Sequence, residues 1–146
     1  MPVTAQQFKI LERIHKDMQQ QFRWTSDLKV WGKREHWTRP MHKGGFLVGD
    51  CEDDAIEKWH RAYAMGIEAT DVKLCGCFVL NANPEHPTPV NDEDMNHIVL
   101  AIKTKNGVFI SDCNSKFIRP LADLPYLNWC WPEGAINQKW VKIKQA

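Results

Sequence analysis

The sequence predicts an α+β domain in which two helices precede a small antiparallel sheet. Two segments in the N-terminal half repeat apolar residues at spacings of three and four, as one face of a helix does. Three later segments are short, β-branched and mostly apolar, which is typical of strands. Because 146 residues is the length of one ordinary domain, residues 1–146 are expected to form a single unit.

The two helices are placed by their apolar stripes and by their caps. The first helix is predicted over residues 5–22, with Thr4 as its N-cap. Residues 23–49 contain four aromatic side chains but keep no period, and a proline and two glycines interrupt them, so an ordered loop is expected there. The second helix is predicted to begin after the N-cap Asp50 and to stop at Gly66.

The C-terminal half carries the sheet. The strands are predicted at residues 72–80, 97–103 and 108–112. Three prolines and an acidic cluster make residues 81–96 a long exposed loop. Beyond Ile118 the chain carries three prolines and three tryptophans, which indicates an aromatic-anchored tail that ends in an edge strand at residues 140–143.

Composition excludes several classes of protein. Hydrophobic residues make up 43% of the chain and charged residues 25%, as in soluble globular proteins, and no window has the ~18 apolar residues of a membrane span. A net charge of +1 offers no field for binding nucleic acid. The N-terminus has no basic and then apolar leader, so a cytoplasmic location is expected. Five cysteines, an odd number, are then expected to be reduced thiols.

The segment GDCEDDAIEKW is the most informative for chemistry, because it places Cys51 in the first turn of a helix. Peptide dipoles at a helix N-terminus favour the thiolate, so we expect the pKa of Cys51 to be lowered and the residue to act as a nucleophile. Its backbone N–H could then help to bind an oxyanion. The alternative from helix chemistry alone is a small buried cysteine beside carboxylates that only suit a helix start.

A thiol nucleophile needs a base and a group that orients the base. His97 opens an apolar strand, and Asp112 lies on the next predicted strand, so the two could form such a pair. The alternative for His97 is an ordinary half-buried sheet residue. The other five histidines lie on helices or in loops without an evident chemical neighbour.

Four segments, WGKREHWTRP, GDCEDDAIEKW, HIVLAI and GVFISD, resemble in this order the bacterial transglutaminase-like cysteine peptidases. This group contains the calcium-dependent periplasmic protease that releases biofilm adhesins. The resemblance covers roughly residues 24–131 and implies a papain-like cysteine hydrolase fold with a Cys-His-Asp triad that acts on protein or peptide amides. Carried over by position, the nucleophile is Cys51, the base is His97 and the orienting carboxylate is Asp112.

The acidic residues around Cys51 have a physical and a family-based interpretation. Their negative charge opposes a thiolate, and a bound cation with oxygen ligands would cancel that effect. The resemblance matches Asp50, Glu52 and Asp53 to calcium ligands, so Ca²⁺ is the expected cofactor. The alternative is that these carboxylates only cap and solvate the helix.

The chain departs from the family pattern at three places. Glu35-His36 stands where an aspartate usually precedes Tyr-Trp, and Met41-His42 stands where an acidic residue usually follows the proline. Cys113 stands where an asparagine commonly follows the triad aspartate. The absence of a leader resembles short phage-encoded members, so a virion or host-protein partner is expected.

Several other readings stay open. The same residues could transfer an acyl group to an amine, as transglutaminases do, or the fold could serve a virion or assembly role without turnover. Cys75 and Cys77 share one face of a strand, but their spacing does not suit common zinc motifs and favours buried thiols. The seven tryptophans are assigned to packing, with Trp31 or Trp37 lining a substrate cleft.

The turn after the second predicted strand decides whether His97 can reach Asp112. If residues 106–107 form a two-residue turn, the pair lies four residues out of register, roughly 13 Å apart. A longer loop over about residues 103–106 sets the two residues directly opposite each other. Catalysis requires the second register, so we predict that loop, with Gly107 at positive φ.

Overall fold

The computed structural model describes residues 2–24, 41–133 and 139–143. Two α-helices, nine β-strands and one 3-10 turn lie in these ranges. They are α1 (Ala5–Gln21), β1 (Phe22–Trp24), β2 (Met41–Lys43), β3 (Phe46–Gly49), α2 (Cys51–Ala64), β4 (Val72–Phe78), β5 (His97–Thr104), β6 (Gly107–Ser111), β7 (Arg119–Pro120), the 3-10 turn (Leu121–Asp123), β8 (Leu127–Pro132) and β9 (Trp140–Lys142). Within the described ranges, neither helix is long and apolar enough to cross a membrane.

Both predicted helices are confirmed, together with their caps. At the start of α1, the Thr4 side chain accepts from the Gln7 N–H, and the Gln7 side chain accepts from the Thr4 N–H. Asp50 caps α2 in the same reciprocal way. Gly66, at φ +85°, follows the end of α2 in the left-handed conformation that glycine adopts at little cost.

The prediction of a loop over residues 23–49 is wrong where the structure describes this segment. Strands β1, β2 and β3 form a small sheet in the order β1-β3-β2, with β1 parallel to β3. Strands of three or four residues are too short to show a period of two, so the sequence pattern missed them. Residues 25–40, which include Glu35, His36, Trp31 and Trp37, lie outside the described residues.

The larger sheet has six strands in the order β7-β6-β5-β4-β8-β9, and every neighbouring pair is antiparallel. Strands β4, β5 and β6 agree with the three predicted ones to within two residues. The predicted edge strand is β9. However, β8 lies beside the central strand β4, where the sequence predicts only an anchored tail.

The hairpin between β5 and β6 follows neither register considered from the sequence. Ala101 pairs with Ile110 and Thr104 with Gly107, so the turn consists of residues 105–106. Gly107 has φ +118°, as predicted. The predicted long loop is wrong, and so is the expectation that His97 must face its partner directly, because the observed register sets it two residues from that position.

The six-stranded sheet has a hydrophobic core on each face. One core contains α1 and α2 against Leu74, Leu100 and Ile102. The other contains Cys75, Cys77 and Val99 under the 3-10 turn and Trp129. Cys75 and Cys77 are therefore buried thiols, as expected.

Candidate active site

The first residues of β5 and the turn after β6 bring His97 and Asp112 together. The His97 Nε2 lies 2.8 Å from the Asp112 Oδ1, and the two side chains are 6% and 0% exposed. The two residues are diagonal neighbours on one face of the sheet, a distance that an imidazole can span. When Nε2–H donates to this carboxylate, the neutral ring keeps Nδ1 as the atom that can accept a proton.

Asp112 accepts hydrogen bonds from two groups in addition to His97. The Asn114 backbone N–H donates to Oδ1 at 3.0 Å, and the Tyr126 hydroxyl donates to Oδ2 at 2.7 Å. Burial by itself raises the pKa of the Asp112 carboxyl, but the hydrogen bond and charge of His97 act against it. With the Asn114 and Tyr126 donors added, the pKa of this carboxyl falls to about 2. Asp112 is thus a fixed negative charge that can orient an imidazole.

Tyr126 is a site residue that the sequence did not reveal. Its ring also packs edge-on against His97, with the ring centroids 5.8 Å apart. Burial and the Asp112 carboxylate raise the pKa of Tyr126 above its ordinary value, so the hydroxyl stays protonated and donates. Tyr126 lies in an irregular stretch between the 3-10 turn and β8, where no periodic pattern marks a functional residue.

A second set of bonds fixes the turn that carries Asp112. The Ser115 backbone N–H donates to the Asp112 carbonyl at 3.1 Å. From α1, the His15 Nδ1 lies 2.7 Å from the Ser111 hydroxyl, and its Nε2 lies 2.8 Å from the Ser115 carbonyl. Burial lowers the pKa of His15 most, and the charge of Lys58 lowers it further. Both effects favour a neutral ring between Ser111 and Ser115. His15 therefore has chemical neighbours, but they are structural.

Cys51 is the first residue of α2, beside the start of β5. The backbone N–H of Ile98, the residue after His97, is a hydrogen-bond donor to its sulfur. The sulfur also lies 3.6 Å from the Glu52 Oε2. Burial and then the Glu52 charge raise the pKa of Cys51, and the Ile98 N–H only partly opposes them. The direction is therefore opposite to the predicted lowering of this pKa, because burial and the neighbouring carboxylate favour the thiol form.

The three carboxylates proposed as calcium ligands lie around the same helix start. Asp50 Oδ1 accepts from the Asp53 N–H at 3.4 Å, and Asp53 Oδ2 accepts from the Asp50 N–H at 3.0 Å. Glu52 faces the Cys51 sulfur. Their chemistry suits Ca²⁺, which prefers several carboxylate oxygens. In this arrangement, however, oxygens of Asp50 and Asp53 serve the capping box.

Cys113, the residue after Asp112, also lies close to the His-Asp pair. One potential metal-binding atom each from His97, Asp112 and Cys113 lies within 4.8 Å of the others. Burial raises the pKa of Cys113 above its ordinary value, with the charge of Asp54 adding to the effect. The site therefore contains two half-buried thiols, Cys51 and Cys113. The sequence predicts only Cys51 as the nucleophile.

Comparison with known proteins gives a family and a fold. The model of the bacterial transglutaminase-like cysteine proteinases matches residues 1–146. The calcium-bound structure of Legionella pneumophila LapG is similar, with a TM-score of 0.65 and 20% identity over 95% of this chain and 73% of that chain. For the EGTA-treated LapG structure the TM-score is 0.64, with 20% identity over 94% of this chain and 68% of that chain. None of the curated proteins compared with the chain matched it.

Proposed function

We propose, from the premise that the chain belongs to the bacterial transglutaminase-like cysteine proteinase family, that Cys51, His97 and Asp112 are its catalytic triad. Membership of this family makes the chain a cysteine peptidase. The observation that carries the assignment of residues is the buried 2.8 Å contact between His97 Nε2 and Asp112 Oδ1. It leaves Nδ1 as the basic atom, on the residue next to Ile98, whose N–H meets the Cys51 sulfur.

In the proposed reaction, the Cys51 sulfur attacks the carbonyl carbon of a peptide bond while His97 Nδ1 accepts the thiol proton. The backbone N–H of Cys51, at the start of α2, is a donor for the oxyanion. His97 then gives its proton to the leaving amine nitrogen, and a thioester remains. Water attacks the thioester with His97 as base, which releases the acid and restores the thiol.

Because Cys51 rests as a thiol, proton removal has to accompany its attack, and this is the task of His97. Asp112 keeps the imidazole in the tautomer whose Nδ1 is free of a proton and stabilises the imidazolium that forms. The buried, fixed charge of Asp112 suits this role.

The assignment of the nucleophile is tested by the alkylation kinetics of all five thiols with iodoacetamide near neutral pH, followed by peptide mapping. We expect Cys51 to react fastest, and His97→Gln to slow Cys51 by about tenfold or more while Cys130 reacts as before. Cys130 is a suitable internal control, since it is also half-buried but contacts Gly76 and Met95.

Two outcomes would contradict the assignment. If Cys113 reacts fastest and its rate depends on His97, the nucleophile is Cys113. If the three half-buried thiols react alike in both proteins, the triad is not assembled, and the structural or assembly role takes its place. A Cys51→Ala protein that still cleaves peptide bonds would also exclude Cys51.

We further propose that Ca²⁺ binds at the start of α2 through Asp50, Glu52 and Asp53. The support is the density of carboxylates beside Cys51, together with the similarity to a protein whose structure is described as calcium-bound. When bound, the cation would supply positive charge next to the nucleophile.

The predicted cytoplasmic location, phage origin and virion or host-protein partner stay predictions.

Calorimetry with Ca²⁺ after chelator treatment tests this site. We expect binding to the wild type and clearly weaker binding to Glu52→Gln, because Glu52 is outside the capping box and its change leaves the helix start intact. Glu93→Gln, in the exposed loop before β5, is the matched control. If millimolar Ca²⁺ gives neither heat nor a change in melting temperature, the carboxylates only cap the helix.

A further inference from the structure

Cys113 sits where it can join the His-Asp pair in binding a metal ion. The sulfur of Cys113, a ring nitrogen of His97 and a carboxylate oxygen of Asp112 lie within 4.8 Å of one another. In tetrahedral zinc sites, ligand atoms are roughly 3.3–3.8 Å apart. The His97–Asp112 pair, at 2.8 Å, would have to open by about 0.5 Å, and the Cys113 sulfur would have to approach by at most about 1.5 Å. Cys113 lies on a turn and is half-buried, and it could supply this movement.

The donor set selects the kind of metal. One thiolate, one imidazole and one carboxylate are the ligands that Zn²⁺ takes, whereas Ca²⁺ prefers oxygen atoms alone. The cluster is therefore chemically distinct from the carboxylates at the start of α2. Three protein ligands would leave a fourth position for water.

An entry path leads to the cluster. A cavity of about 170 Å³ lies between the end of α1, β1 and the turn after β6, and Cys113 and Asn114 form part of its wall. The Asp54 carboxylate, which forms an ion pair with Lys58 at 2.7 Å, lines the same cavity. An ion could reach the Cys113 sulfur from this side without unfolding of the sheet.

We propose that His97, Asp112 and Cys113 form a Zn²⁺ site. With Zn²⁺ on one ring nitrogen of His97 and the ring's single proton on the other, no ring nitrogen is free to accept the proton of Cys51, so filling the site removes the base from the reaction. The site itself stands on the geometry of the three side chains. Its consequence, inhibition by Zn²⁺, rests on the proposed catalytic role of His97.

Calorimetry with Zn²⁺ on the reduced, calcium-free protein tests the site without reference to activity. We expect Cys113→Ser and His97→Gln each to weaken binding by roughly tenfold or more, because each removes one ligand. Cys51→Ala and Cys130→Ser should bind as the wild type does. Wild-type binding by Cys113→Ser, or loss of binding in Cys51→Ala, would overturn the proposal.

Replacement of Zn²⁺ by Co²⁺ keeps the test decisive if Cys113→Ser does not fold. A Co²⁺-thiolate charge-transfer band in the wild-type protein is expected, and its absence would overturn the site. Peptide cleavage by the wild type is then measured with and without Zn²⁺. A chain that binds Zn²⁺ but cleaves nothing without it would contradict the proposed function and leave the metal site standing.

Discussion

At the scale of single residues, Asp112 is held by donors that lie outside the proposed Cys51, His97 and Asp112 triad. Cys113 stands at the position after the aspartate, where the family resemblance leads one to expect asparagine. The backbone N–H of Asn114 and the hydroxyl of Tyr126 nonetheless give the carboxylate two donors in addition to His97. We therefore expect the orientation of the imidazole to depend on a tyrosine outside the proposed triad.

Tyr126→Phe is expected to slow alkylation of Cys51 by about tenfold, because the carboxylate loses one donor and holds His97 less firmly. The loss of the hydroxyl also removes one of the bonds that lower the pKa of Asp112, so the pH titration of this carboxyl, followed by NMR, should move to higher pH. The loss of one buried hydrogen bond should lower the free energy of unfolding by about 1–2 kcal/mol.

The matched control for this experiment is Tyr63→Phe. Tyr63 is the other tyrosine of the chain, and it is 62% exposed on α2. Equal alkylation rates and equal pH profiles for Tyr126→Phe and Tyr63→Phe would show that Tyr126 only packs against the site.

The difference between Tyr126 and the triad shows what residue patterns can reveal. Cys51, His97 and Asp112 follow recognisable element boundaries, a helix start and two strand ends, and they match family motifs in order. Tyr126 reaches Asp112 only through the path of an irregular segment after the 3-10 turn. Such a path is fixed by tertiary packing, and no local pattern in the sequence predicts it.

At the scale of secondary structure, the start of α2 explains the glycine of the GDCED motif. A Cβ atom at Gly49 would lie 2.5 Å from the Asp53 Oδ2 and 2.6 Å from the Asp53 Cβ. These distances are shorter than van der Waals contact, so only glycine lets Asp53 reach back to the Asp50 N–H. The requirement is steric, and Gly49 is not among the glycines with positive φ.

Gly49→Ala is therefore expected to lower the free energy of unfolding by about 1–3 kcal/mol, measured by urea denaturation. A double-mutant cycle with Asp53→Gly isolates the cause, because that change removes the atoms that clash. The double variant should then lose less than the sum of the two single variants. If the losses of the two single variants simply add in the double variant, the destabilisation by Gly49→Ala does not arise from contact with Asp53.

The hairpin between β5 and β6 shows where element-level prediction ends. The turn consists of residues 105–106, and Gly107 is the first residue of β6. The positive φ of Gly107 therefore lies just after the turn and not within it. If the two-residue turn moves by one position along the chain, each residue of β5 pairs with a residue of β6 two positions away. Because side chains alternate between the two faces of a strand, every side chain then stays on the same face. Hydrophobic alternation therefore fixed the faces of these strands but could not distinguish among the three registers.

At the scale of the whole molecule, the site joins the two layers of the fold. Cys51 comes from a helix on one face of the six-stranded sheet, whereas Tyr126 packs with the core on the other face. His97 and Asp112 lie at the sheet between them. The His97–Asp112 pair is thus assembled only when both cores are formed, and the ionisation of Asp112 is coupled to global stability.

This coupling predicts a loss of stability in acid that depends on Asp112. The pKa of Asp112 is about 2 in the folded chain and close to 3.9 when unfolded, so the unfolded chain takes up the proton first. The stabilising effect, at most about 2–3 kcal/mol, is present above pH ~4 and is lost as the pH falls through ~2. For a chain of this size the loss corresponds to roughly 5–10 °C in melting temperature.

Melting temperatures of the wild type and of Asp112→Asn between about pH 5 and pH 2 provide the measurement. The variant should melt lower than the wild type at neutral pH, and the gap should narrow as the solution is acidified, because only the wild type has this carboxylate to protonate. Asp123→Asn, at an exposed position on the 3-10 turn, is the control and should follow the wild-type curve. If the difference in melting temperature between the two proteins stays constant down to pH 2, the acid sensitivity arises at other carboxylates. Asp112 would then stabilise the fold through packing and hydrogen bonds rather than through its charge.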